Sequence, residues 1–118
     1  MRNETIRRPL DDGTGLTLLK AMCVEITQYL DRAQKVISDE IGSYPTPIPR
    51  CDAQFNHLYE QRTRVSETLI RMAALVDGNL PRTDYLDSIT AFVDSAPFTD
   101  DAGERNLKSR LKAALANL

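Results

Sequence analysis

Any acid-base or metal chemistry in this chain has to pass through its one histidine. His57 is followed one turn later by Glu60 and then by Arg62, and on a helix residues three apart share a face. If these residues lie on the second rod of a helical hairpin whose loop is centred near Ile48, the numbers of facing positions add to roughly 96. His57 then faces Asp39 and Glu40. An imidazole with two or three carboxylates can hold a divalent ion, and a His–Asp pair can move a proton. Helical carboxylate sites, however, draw a histidine from each of two helices. Ion pairing is therefore the simpler expectation, with no metal and no cofactor.

Arg62 takes the one missing turn of an apolar seam otherwise made of Phe55, Leu58, Val65, Leu69, Met72 and Val76. A guanidinium in such a seam must snorkel outward or meet a buried carboxylate, and Asp31 is the nearest acid in the same register. The expectation is a register-fixing ion pair at a bundle interface. The functional alternative is an anion site inside the bundle for a carboxylate or phosphate ligand.

Cys51 stands between Arg50 and Asp52, and Asp52 reads as the N-cap of the second rod. The helix dipole and Arg50 both favour a thiolate there, but no second cysteine or paired histidine accompanies it, so a plain structural thiol is expected. Cys23 lies early in the first rod, with about 30 Å of helix between it and the loop end of the hairpin. That is beyond disulfide reach. Two free thiols follow, and with them a reducing compartment, the cytoplasm.

The last predicted helix carries Arg105, Lys108 and Lys112 on one face, with Arg110 offset. Such a stripe after a short helix fits a helix-turn-helix reading of nucleic acid. The connecting residues 96–98 lack the glycine often found in that turn, and a formal net charge of −2 gives no field to draw in a polyanion. The wet side of an amphipathic helix is the plainer account. No phosphate loop, nucleophile–base pairing or Cys/His cluster occurs, and nothing predicts an enzyme.

The elements that must position these residues are helices. From 16 to 41, Leu19, Cys23, Ile26, Leu30, Ala33, Ile37 and Ile41 recur at steps of four and three, and Leu18, Met22 and Val36 widen the stripe. Residues 1–15, with Pro9, Gly13 and Gly15, read as a flexible arm whose Arg2, Arg7 and Arg8 are solvated. The connection 43–50 holds Pro45, Pro47 and Pro49, which exclude helix and make a stiff bend. Tyr44 and Ile48 are expected to close the core there. Together with Arg50, Cys51 and Asp52 they form a loop-end patch that a partner could contact.

The second long helix is expected over 53–77. A third, 84–95, is capped by Thr83, carries Leu86, Ile89, Phe92, Val93 and Ala96, and stops at Pro97. A fourth, 100–117, is capped by Thr99 and carries Leu107, Leu111, Ala114, Leu115 and Leu118 behind an acidic first turn, Asp100 and Asp101. No segment alternates with period two.

With 118 residues, 42% hydrophobic and 27% charged, the chain is long enough for one helical domain over 16–118 and too apolar for disorder. It has no run long enough to span a membrane. The expected fold is all-α and four-helix-bundle-like, a long antiparallel hairpin plus two short helices. Rods near 38 Å cannot be covered by helices of about 18 and 27 Å, which predicts a homodimer pairing two hairpins into a four-helix core. The expected function is a non-catalytic helical interaction module that self-associates through the hairpin, with a further protein partner at the loop end. The alternative is a small-ligand or divalent-metal binder using His57 and Glu60, or Arg62. A nucleic-acid binder through the last helix is the lesser one.

Overall fold

The computed structural model describes residues 2–45 and 52–118, with side chains from residue 15 onward. Ile48, Arg50 and Cys51, three of the loop-end candidates, lie outside the described residues. Four helices and no strand occur among those described: α1 (Arg2–Gly42), α2 (Ala53–Asp77), α3 (Arg82–Asp94) and α4 (Ala102–Ala116). The fold is all-α, and the molecule is elongated, 73 × 25 × 17 Å along its principal axes.

The first helix begins at Arg2, well before the expected start at Leu16, so the stretch expected to be a flexible arm has helical backbone. Its apolar stripe begins only near Leu16, but a helix once nucleated extends at little cost per residue. At the other end Ser43 N–H donates to Asp39 O at 2.9 Å and Tyr44 N–H to Ile41 O at 3.2 Å, closing the last turn. Asp52 caps α2, accepting from Phe55 N–H at 3.0 Å. Gly78 ends it in an extended conformation. A Cβ there would stand 3.1 Å from Ala74 O, a tight contact that glycine avoids.

α1 and α2 lie antiparallel. The Gln34 amide donates to Ser66 Oγ, Lys20 Nζ donates to Asn79 Oδ1 at 3.3 Å, and Tyr44 OH donates to Asp52 Oδ2 at 2.7 Å. The first two pairings set a register a few residues later than a loop centred on Ile48 implies. In this register Asp31 lies opposite Thr68 and Leu69, nearly two turns along α2 from Arg62.

The buried positions on α1 are Leu19, Met22, Cys23, Ile26, Leu30, Ala33 and Ile37. On α2 they are Leu58, Val65, Thr68, Met72 and Leu75, while Phe55, Leu69 and Val76 are half-buried. The seam therefore runs through 58, 65 and 72 and leans to the 61–68–75 side. Gln61, rather than Arg62, takes the turn between Leu58 and Val65, because the short helices pack on that flank.

α3 runs back from the 78–81 turn. Tyr85, fully buried, donates from its hydroxyl to Gly78 O at 3.0 Å and accepts from Leu80 N–H at 3.4 Å. α3 starts at Arg82 after Pro81, with no side-chain cap. The expected Thr83 cap is corrected, because proline suits a helix entry and shifts the start forward. Phe92 stacks on Phe98 with ring centroids 5.7 Å apart. α4 then returns antiparallel to α1, with Asp101 beside Tyr29 and Arg110 paired to Glu25 at 2.9 Å.

Leu30→Ala should destabilise the fold by about 2–5 kcal/mol, as loss of a buried leucine does. Tyr85→Phe should cost less, about 1–2 kcal/mol, since the hydroxyl's two hydrogen bonds are lost and the ring stays. Urea unfolding at one fixed protein concentration checks both, and a Tyr85→Phe cost equal to that of Leu30→Ala would contradict this packing.

Candidate functional site

All four helices meet where α3 turns into α4, and one carboxylate holds the meeting point. Glu104 is 1% exposed. It accepts from the backbone N–H of Phe98 at 3.0 and 2.9 Å, of Thr99 at 2.8 Å and of Asp100 at 2.8 Å, and from Thr99 Oγ1 at 3.2 Å. Lys108 Nζ stands 2.8 Å from its second oxygen and also donates to Ser95 O at 3.0 Å. Three successive N–H groups converge because Asp100 takes a left-handed conformation, φ 56°, which aspartate tolerates better than most residues. Burial alone would push the Glu104 carboxyl up, but Lys108 and the three backbone donors more than offset it and hold it down to about 2.

Asp101 completes the arrangement by capping α4, accepting from Glu104 N–H at 2.7 Å. This corrects the expected Thr99 cap. Asp101 and Glu104 have the spacing of a capping box, a short acceptor three residues before a glutamate, and that spacing was present in the sequence; here the Glu104 carboxylate reaches past the cap to the N–H groups of residues 98–100. The fourth helix consequently starts at Ala102.

The corner is tied to both long rods. Arg64 donates to Pro97 O at 2.7 Å and Ala96 O at 2.9 Å, with its guanidinium 4.2 Å from the Phe98 ring centroid. Gln61 donates to Phe98 O at 2.7 Å. From α1, Tyr29 OH bonds Thr99 Oγ1 and donates to Asp101 Oδ1 at 3.1 Å. Burial, with Asp101 adding to it and Thr99 opposing, pushes the Tyr29 hydroxyl up to about 12, so it stays a neutral donor. None of Tyr29, Gln61, Arg64 or Glu104 was singled out from the sequence. Only the capping-box spacing and the heptad position of Gln61 carried a signal.

Beyond this corner, towards the loop, no other described residue covers the two rods on that side. They enclose a groove of about 630 Å³. Ala33, Val36 and Ile37 of α1 and Leu58 of α2 make its apolar lining. Tyr29, Arg32, Glu40, Gln54, His57, Gln61, Thr99 and Asp101 supply the polar groups. His57 and Glu40 do share this groove, but Asp39 does not line it. Glu60 opens instead on an adjoining crevice of about 360 Å³ with His57, Arg64 and Asp100.

The candidates for a buried polar or ligand role lie mostly at the surface. His57, Glu60, Asp31, Asp39 and Glu40 are exposed and Arg62 is half-buried. The register removes Asp31 from Arg62, whose guanidinium lies over the Tyr59 ring, 5.1 Å from its centroid. Among the described residues no three of His, Cys, Asp and Glu come together as metal ligands. Tyr44 and Asp52 bond each other. The N–H of Phe55, then the Tyr44 hydroxyl, holds the Asp52 carboxyl below its ordinary value, while Tyr44 packs edge-on against Phe55 with centroids 5.0 Å apart. Cys23 is a free buried thiol, pushed up to about 11 by burial, and is correspondingly inert.

Most of the basic groups of α4 pair within the chain, while Lys112 is exposed and pairs with no acid among the described residues. Arg105 donates to Asp100 O at 2.6 Å and pairs with its carboxylate at 3.3 Å, Lys108 pairs with Glu104, and Arg110 pairs with Glu25. Compared with known proteins, the chain matches no family model, no curated protein and no solved structure.

A carboxyl with a folded-state pKa near 2 and an ordinary value of 4.5 stabilises the fold above pH 4.5 and loses that contribution as pH falls through 2. Glu104→Gln should therefore cost about 2–4 kcal/mol at neutral pH, with the gap from wild type narrowing between pH 4.5 and 2. Thermal unfolding of both proteins across this range checks it, and a gap independent of pH would contradict it.

Proposed function

We propose that the chain is a non-catalytic helical interaction module that self-associates through the side of its hairpin that α3 and α4 do not touch. The supporting observation is Ile70, which stands 72% exposed on α2. Eleven residues before it, three turns away and so on the same side, Tyr59 is 42% exposed. Half-buried Phe55, Leu69 and Val76 border them, with Ile41 from α1. At 100° per residue, Ile70, Tyr59 and Ser66, which bonds Gln34 of α1, lie about 120° or more around α2 from Gln61 and Arg64, which hold the corner, while Leu69 and Val76 lie on the flank between.

A two-fold axis on this face would set hairpin against hairpin and leave α3 and α4 outside, the arrangement of an isologous dimer. The face also carries Arg62 and Asp31, which among the described residues form no ion pair. Opposite charges of this kind are what a two-fold can bring together across an interface, giving register more than affinity. A partner protein at the loop end, where Tyr44 and Asp52 sit, belongs to the same reading. So does a reducing cytoplasm, which suits the buried unpaired thiol of Cys23.

Sedimentation equilibrium should give twice the chain mass of 13.3 kDa, and Ile70→Glu should return a monomer with unchanged helix content. Wild-type protein that stays monomeric at every concentration would remove the proposal.

A further inference from the structure

We propose that the groove at the loop end of the hairpin binds a small, elongated amphipathic carboxylate, with its apolar body along Val36, Ile37 and Leu58 and its carboxylate on Arg32. The site lies on the side of the hairpin facing α3 and α4, so it goes beyond self-association and does not depend on it.

Size comes first. About 630 Å³ falls within the range of pockets that enclose small molecules. The lining is apolar where a ligand body would lie. Ile37 and Leu58 form a packed floor, and Val36 projects above it, 57% exposed. An apolar body laid there removes Val36 from water, which is the favourable term such a site offers.

The head group is selected by which polar groups are still available. At the corner end, Gln61 is engaged with Phe98 O, and Tyr29, Thr99 and Asp101 are engaged with one another and with Glu104. They make a fixed wall that needs no ligand to satisfy it. Arg32, on the same end of α1, forms no hydrogen bond or ion pair among the described residues, although it lines the groove. A guanidinium presents a planar fork that matches a carboxylate. Two acids line the groove: Asp101 at the corner end, its carboxylate bound by the Tyr29 hydroxyl and the Glu104 N–H, and Glu40 at the other end, eight residues and about 12 Å beyond Arg32 along α1, with His57 on the α2 side. That length accommodates a chain of about eight carbons between the cation and the far rim.

Three probes with one body and different heads test this: octanoate, octan-1-ol and octylammonium, titrated into the full chain while the amide resonances of Val36, Ile37 and Leu58 are followed. Octanoate should shift these signals saturably and bind more tightly than the alcohol or the ammonium. Arg32→Gln, an exposed substitution that leaves the helix content intact, should weaken octanoate about tenfold and leave the alcohol unchanged. Octanoate without saturable shifts, equal binding of the alcohol, preference for the ammonium, or an Arg32→Gln protein that binds octanoate like wild type would each overturn the proposal. All titrations are compared at one fixed protein concentration and repeated on the Ile70→Glu protein, whose octanoate affinity should equal that of wild type, so failure here is separate from failure of self-association.

Discussion

The shape of this molecule depends on one carboxylate bound by its own backbone. Glu104 gathers the N–H groups of Phe98, Thr99 and Asp100 and the ammonium of Lys108. Left without partners in so buried a place, those donors and that charge would be expensive. Together they fix where α3 stops, how sharply the chain reverses, and where α4 begins. Arg64, Gln61 and Tyr29 then attach this turn to both rods of the hairpin, so the turn cannot slide along them.

Where the corner is fixed decides what the rest of the hairpin must do. α3 and α4, about 20 and 22 Å long, cannot cover α2, which is about 38 Å long, and the corner puts the shortfall at the loop end. There the groove opens above Tyr29 and Gln61. Among the described residues nothing covers the opposite side of the hairpin, and Ile70 and Tyr59 face water there. Covering one isoleucine side chain is worth about 1.5–3 kcal/mol, a large amount for a domain of this size whose net stability is only several times that. The two bare regions differ in kind. One is concave, with a cation near one end, and the other is a flat helical face with scattered apolar groups and opposite charges, suited to a second copy of itself.

Much of this was legible beforehand. Spacing placed α2 at 53–77, and the alternation of apolar residues on α1 named its buried positions correctly from Leu19 to Ile37, because a two-sided environment imposes that alternation directly. The Asp52 cap was legible because a short acceptor after a proline-rich bend has few other uses. Arg62 misled because helix periodicity fixes the centre of a stripe but not which flank a third helix will press on. Gln61 takes the buried side only because Phe98 is there, and that contact spans 37 residues. The same limit hid Tyr29 and Arg64. His57 and the acids near it suggested chemistry from a hairpin register that the Gln34 and Ser66 pairing shifts by a few residues. The Asp101 and Glu104 spacing was readable as a capping box, and Thr99 drew attention from it by standing in front of an acidic first turn.

Native-state hydrogen exchange at the amides of Phe98, Thr99 and Asp100 tests the central claim most directly. These N–H groups lie in a turn, where exchange is ordinarily fast, yet each is donated to a buried carboxylate. They should be protected to the level of global unfolding, as are the helical amides of Leu107 and Leu111. Exchange at close to the rate of an unstructured peptide would contradict the account, since the corner would then be an ordinary loop and nothing would fix where the short helices stop.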